Sequence, residues 1–227
     1  MLSEAEMQGY ADMKALVTGF EPFGADAVNP SGEAVLRLPS RIGGLTVETR
    51  IVPTVFGRAI AALEDAIVAT HPDIVLCVGL AGGRAELSLE RVAINVDDAR
   101  IPDNDGQQPI DRPIVAEGPA AYFTGLPVKA AVAALREAGL PAIVSNTAGT
   151  FVCNHIFYGL MHLVASRRLP LRGGFLHVPY LPKQAAGLAG IQVPSMALDD
   201  IARGIEIILR VAAARTDDIA TAEGTIS

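Results

Sequence analysis

The chain has 227 residues, half of them apolar but only 5% aromatic, which suits one domain with a complete core and excludes a disordered or fibrous protein. A formal net charge of -7 and a pI near 5.1 argue against a nucleic-acid binder, because neutralising phosphates takes a basic face. No apolar run approaches the ~20 residues that span a bilayer, the N-terminus lacks the basic and apolar regions of a signal peptide, and two cysteines are too few for a disulfide framework; a cytoplasmic protein without a membrane partner is expected.

Residues 1–12 read as an extension ahead of the first strand pattern, Ala15–Gly19. The loop Phe20-Glu21-Pro22-Phe23-Gly24 follows, and two phenylalanines there are either an apolar pocket wall or a loop tucked onto the core. Ser31 is a plausible N-cap for a short helix over Gly32–Leu38. The alternating, β-branched Thr46–Val52 predicts a strand, Phe56–Thr70 a helix ended by Pro72, and the continuous apolar run Asp73–Val78 a strand buried on both faces, with Cys77 as an inert core residue.

The glycine turn Gly79-Leu80-Ala81-Gly82-Gly83-Arg84 comes next. It matches neither a dinucleotide nor a P-loop fingerprint, so it reads as backbone that approaches a ligand closely, with phosphate binding the weaker alternative. Glu90–Val96 is another strand pattern, and Asp97–Pro113 a long polar loop for function or assembly. A helix over Val128–Ala138 stops at Gly139, Pro141–Val144 leads as a strand into Ser145, and Gly173–Pro179 is a strand with His177 near its end. The last helix pattern, Ser195–Ala214, has Ser195 as N-cap. Alternating strands and helices predict a single-domain three-layer α/β/α sandwich over residues 13–214, with a mostly parallel twisted central sheet and a tail at 215–227. In that architecture ligands gather at the C-terminal strand ends, where Phe20, Gly79, Ser145 and His177 fall.

The chemistry centres on Ser145–Val164, which reads as strand end, small-residue loop and helix, with Cys153 in the first helical turn. Free N–H groups and the positive end of the helix dipole favour a thiolate there. Cys153 shares a helix face with Phe157, Leu160 and Val164 and so points into the protein, as a nucleophile or as a small buried hydrophobe.

A nucleophile needs a base, and there are four histidines. His155 lies about 200° round the helix from Cys153, His162 is nearly three turns away, and His71 belongs at the opposite edge of the sheet. His177 is left, at the end of a strand on the cysteine's side. Glu90, Asp97, Asp98 and Asp103 are all available as the acid that orients it, and spacing does not choose among them. No cluster has metal-ligand spacing.

Five blocks then carry a resemblance: GFEPFG with VNPS, VPTVFG, GLAGGRAELSLERVAINVDDARIPDNDG, SNTAGTFVCNHIFYGLMH and GGFLHVPYLP. Together, in this order, they resemble the pyroglutamyl peptidase I (pyrrolidone carboxyl peptidase) family from Met13 to about Leu209. The resemblance implies a cytosolic cysteine exopeptidase that removes N-terminal pyroglutamyl residues from peptides through a thioester, often a homotetramer and otherwise a dimer, without a cofactor. It also implies Cys153 as nucleophile, His177 as base, Glu90 as acid, Phe20, Phe23, Phe151 and Val152 as substrate pocket, and Arg91 near the reacting carbonyl. One position departs: many relatives have Gln where this chain has Leu80, whose side chain cannot hydrogen-bond a lactam although its backbone can.

Overall fold

The computed structural model describes residues 12–188 and 192–224; the expected N-terminal extension, up to residue 11, lies outside them. Among the described residues nine strands and six helices follow one another: β1 Lys14–Phe20, α1 Pro30–Leu36, β2 Arg41–Ile42, β3 Leu45–Val52, α2 Arg58–Thr70, β4 Ile74–Leu80, β5 Leu87–Glu90, β6 Val92–Ile94, β7 Ala121–Phe123, α3 Val128–Glu137, β8 Ala142–Ser145, α4 Val152–Arg167, β9 Arg172–Val178, α5 Pro182–Gly187 and α6 Leu198–Ala214. Seven strands form the central sheet in the order β2-β3-β1-β4-β9-β5-β8, and β6 pairs with β7 in a separate ribbon.

Strand periodicity of two sorts the side chains into two cores. Ala15, Val17, Ile74, Leu76, Val78, Leu87, Leu89, Leu176 and Val178 pack with α1, α3 and α6 on one face. Leu16, Phe20, Val75, Cys77 and Phe175 pack with α2 and α4 on the other. This is the expected α/β/α sandwich, and Cys77 is fully buried as expected. Among the described residues no helix is long and apolar enough to cross a membrane.

The sheet departs from a simple parallel one at the position that matters for the site. β3, β1, β4 and β9 are mutually parallel, but β5 runs antiparallel to β9, and β8 follows β5. Ser145 therefore does not join Phe20, Gly79 and His177 at a common edge. It ends a strand that points the other way, level with Glu90 and Phe175 in the body of the sheet.

Three local expectations are corrected. Asn29, not Ser31, caps α1: its Oδ1 accepts from the Ser31 N–H at 3.1 Å, while the Ser31 hydroxyl accepts from the Phe20 N–H at 3.0 Å. The strand expected over Glu90–Val96 breaks at Arg91. Asn154 on α4 takes the Ile94 N–H and the Ile94 and Val96 carbonyls, satisfying this backbone from the helix layer rather than from the sheet. Ser195 does not cap the last helix; it bridges to Tyr180, and α6 begins at Leu198 with Asp199 and Asp200 offsetting its dipole.

Candidate active site

Alternation places a polar series on the α4 side of the sheet. On β5 the apolar Leu87 and Leu89 face one core, so Ser88 and Glu90 face the other; on β9, Phe175 and His177 share that second face. Glu90 is fully buried and His177 nearly so. His177 Nδ1 lies 2.7 Å from Glu90 Oε1. A carboxylate only accepts, so Nδ1 carries the proton and Nε2 is the basic nitrogen.

Cys153 arrives from the other layer. Phe151 is the N-cap of α4, and Cys153 is its second helical residue, half-buried. Its Sγ packs against Gly79, where an added β-carbon would come within 2.8 Å of the sulfur; Gly79 is also the strand partner of His177. Cys153, His177 and Glu90 therefore converge on one patch, while Asp97, Asp98 and Asp103 do not reach His177. Asp103 accepts from the Phe56, Asp105 and Gln107 N–H groups and organises the long loop.

His155 is excluded by its bonds as well as its direction. Its Nε2 accepts from the Gly57 N–H at 2.8 Å and its Nδ1 lies 2.8 Å from Asp97, so neither nitrogen is available as a base. His162 is engaged by the Tyr122 hydroxyl at 3.0 Å, and His71 ends α2 in a left-handed conformation.

Burial pushes the Cys153 thiol up to about 12, with Glu90 adding to the rise and Arg84 opposing it. The His177 imidazole is pushed down, again chiefly by burial and against the pull of Glu90. Both shifts favour uncharged forms. Burial thus works towards a thiol and a neutral imidazole in the substrate-free site, and the helix terminus towards the thiolate.

A cleft of about 540 Å³ opens beside Cys153. Phe20, Phe23, Leu80, Phe151 and Val152 line it, as do Thr54, Arg100, Ile101 and Tyr180, to which no role was assigned from the sequence. Phe23 and Phe56 both meet the Phe151 ring edge-on, at centroid distances of 5.4 and 5.2 Å, so the apolar wall is braced from behind. Asn104 fixes the phenylalanine loop by donating to the Pro22 carbonyl and accepting from the Gly24 N–H, and Thr150 and Asp98 exchange two hydrogen bonds that tie the cysteine loop to the same long loop.

Arg91 is not brought to the cleft. Its guanidinium donates to the Glu223 carbonyl at 2.5 Å and lines a separate hollow with Phe123, Lys129 and Asp218. The arginine beside the acid is Arg84, from the glycine turn, whose Nη1 lies 2.7 Å from Glu90 Oε1. Sequence spacing puts Arg91 next to Glu90, but successive residues on a strand point to opposite sides. Among the described residues no three His, Cys, Asp or Glu side chains converge to hold a metal ion.

The pyroglutamyl peptidase family model matches residues 13–215, which takes in every residue named at the cleft. The chain belongs to the pyroglutamyl peptidase family. It is 57% identical over 212 residues to pyrrolidone-carboxylate peptidase 1 of Ralstonia nicotianae, covering 93% of this chain and 98% of that one. To the pyrrolidone-carboxylate peptidase of Escherichia fergusonii it is 54% identical over 210 residues, with 92% and 97% covered. Among solved structures, pyroglutamyl peptidase I of Bacillus amyloliquefaciens matches with a TM-score of 0.88 at 49% identity, covering 92% of this chain and all of that one. A variant of pyrrolidone carboxyl peptidase from Pyrococcus furiosus matches with a TM-score of 0.86 at 43% identity, with 88% and 98% covered. For a pyroglutamyl peptidase family member, an enclosed cysteine beside an apolar cleft is the chemistry to be explained.

Proposed function

We propose that this protein hydrolyses the bond after an N-terminal pyroglutamyl (5-oxoproline) residue of peptides, as a cysteine exopeptidase acting through a thioester on Cys153. Supporting this reading is one conjunction in a chain of this family: Cys153 and the Glu90–His177 pair meet around Gly79 at the foot of an apolar cleft.

The substrate explains the cleft. Pyroglutamate is a flat, uncharged lactam with no free amine, so it calls for apolar walls and a few amide partners rather than an acidic anchor. Phe20, Phe23, Phe151 and Val152 supply the walls, Leu80 contributes its backbone groups, and Thr54 brings a hydroxyl. Discrimination against proline then comes from the lactam carbonyl, whose absence leaves a polar partner unmatched.

The reaction starts from the neutral pair. The Cys153 proton passes to His177 Nε2 as sulfur attacks the pyroglutamyl carbonyl, and Glu90 holds the imidazolium that forms. The first N–H groups of α4 have no intrahelical acceptor and surround the developing oxyanion. His177 returns the proton to the leaving amine, then takes one from the water that cleaves the thioester and frees the thiol.

Release of a fluorescent amine from its pyroglutamyl amide, with the prolyl and alanyl amides alongside, tests this directly. Turnover of the pyroglutamyl amide alone, lost in Cys153→Ala, is the expected result; equal turnover by the variant removes the nucleophile from the scheme. A homo-oligomer, tetramer or dimer, is part of the same reading, supported by the exposed Phe123 and Ile110 and read by light scattering of the purified protein; a cytoplasmic location belongs to it as well and is read by cell fractionation.

A further inference from the structure

We propose that Arg84 is a positioning residue for the site: it pairs with the buried Glu90, directs it onto His177, and ties both to the loop that leads to Cys153. The inference rests on the proposed roles of Cys153, His177 and Glu90.

Glu90 presents an unusual problem for a carboxylate. It is fully buried, and a buried carboxyl becomes neutral unless something stabilises its charge. Oε2 has no hydrogen-bond partner among the described residues. Everything therefore falls on Oε1, which receives His177 Nδ1 at 2.7 Å and Arg84 Nη1 at 2.7 Å. Burial pushes the His177 imidazole down, and among the described residues the Arg84 guanidinium is the positive charge that touches the acid. With both donors on Oε1, the carboxylate anchors the Nδ1–H tautomer of His177 and leaves Nε2 as the base.

Arg84 does more than supply charge. Nη2 donates to the Thr147 carbonyl at 3.1 Å, and Nη1 also reaches Ser145 Oγ at 3.4 Å. These residues begin the loop that carries the chain from β8 to Cys153, so one planar group ties the acid to the nucleophile's approach. Its own turn is fixed: the Arg84 N–H donates to the Ala81 carbonyl, and Gly82 packs under Tyr180 so closely that a β-carbon would lie 2.5 Å from the phenol oxygen.

The electrostatic consequence has a definite sign. The titratable groups packed together here are Glu90 on β5, His177 on β9, Cys153 on α4, Cys77 on β4 and Arg84 on the turn; Arg91 is turned away to Glu223. Arg84 opposes protonation of both His177 and Cys153. Without it His177 takes up its extra proton at higher pH. Activity requires the pair without that proton, so the acid limb of the kcat/KM profile moves upward.

The test compares the native protein with Arg84→Met, Arg84→Gln and Arg84→Lys, using a neutral pyroglutamyl arylamide across the pH range, with circular dichroism to establish folding. Arg84→Met is expected to lower kcat roughly tenfold to a hundredfold, leave KM within about threefold, and raise the acid limb by about one pH unit or more. Arg84→Lys restores the limb but not all of kcat, since an ammonium cannot span Glu90 and Thr147 together. A folded Arg84→Met protein with an unmoved limb overturns the proposal, and if that variant does not fold, Arg84→Gln against Arg84→Lys gives the same comparison. Should the native protein not turn over any pyroglutamyl substrate, the proposed function fails separately. The pH dependence of Cys153 alkylation then reads the same charge, and an identical profile in native and Arg84→Gln protein overturns the role of Arg84.

Discussion

The sulfur of Cys153 rests against the α-carbon of Gly79, and no side chain fits between them: an added β-carbon would lie 2.8 Å from Sγ and 2.8 Å from Phe175 Cζ. Because Gly79 is in register with His177, this one glycine sets the spacing of strand β4, the thiol and the imidazole. Gly79→Ala must displace Cys153 or Phe175. Overpacking of this kind costs about 1–3 kcal/mol, and a nucleophile moved by about 1 Å loses on the order of a hundredfold in kcat. Denaturant unfolding and kinetics on the same preparation check both; unchanged kcat would mean that Phe175, and not Cys153, gives way.

Burial raises the Cys153 thiol to about 12 and lowers His177. The free protein should therefore alkylate slowly with iodoacetamide near neutral pH, and the rate should climb with pH towards the alkaline range, because each rise in pH creates more thiolate. A thiolate–imidazolium pair would instead give a rate plateau beginning below about pH 6. Mass spectrometry locates the label on Cys153, with the fully buried Cys77 as the unreactive internal control.

Leu80 lines the cleft with the phenylalanines and presents an apolar side chain to it. Leu80→Gln adds a donor and an acceptor for the lactam, so the ratio of kcat/KM for pyroglutamyl over prolyl amides should rise by roughly tenfold, or about 1–1.5 kcal/mol for one hydrogen bond. Measured side by side, an unchanged ratio would place recognition of the lactam on backbone groups.

The segment after α6 returns along α3. Asp218 accepts from the Lys129 and Ala130 N–H groups at 2.9 Å each, capping a helix that lacks a side-chain cap of its own, and Glu223 pairs with Arg136 at 2.6 Å. Ending the chain at Thr216 removes the cap, worth about 1 kcal/mol, and a surface ion pair worth less. A fall in Tm of about 2–6 °C is expected. A larger fall, with a loss of kcat, would show that the Arg91–Glu223 contact also braces β5 at Glu90.

The elements were legible where one residue's chemistry settles them locally. The α/β/α order, the buried run of β4, the Gly139 stop and the helix with Cys153 in its first turn all follow from periodicity and backbone preference, which act over a few residues. Competing caps were not: Asn29 and Ser31 both suit a helix start, and the decision lies in the Phe20 N–H that claims the Ser31 hydroxyl from eleven residues away. Likewise the strand breaks at Arg91, whose N–H donates to the Ser145 carbonyl and whose carbonyl accepts from the Thr124 N–H, partners that no window around Glu90 contains.

By itself the sequence determined the nucleophile's setting, the elimination of three histidines and, through five blocks, the family. It left four acids in contention, and resemblance alone pointed to Glu90; the tertiary structure brings Glu90 to His177 because β5 runs against β9. The structure also decided that Arg84 and not Arg91 attends the acid, and that burial pushes the thiol up. The reason is common to all three: strand direction, side-chain facing and burial depend on partners far away in the chain, and a charge buried among them takes its protonation from what surrounds it rather than from its neighbours in sequence.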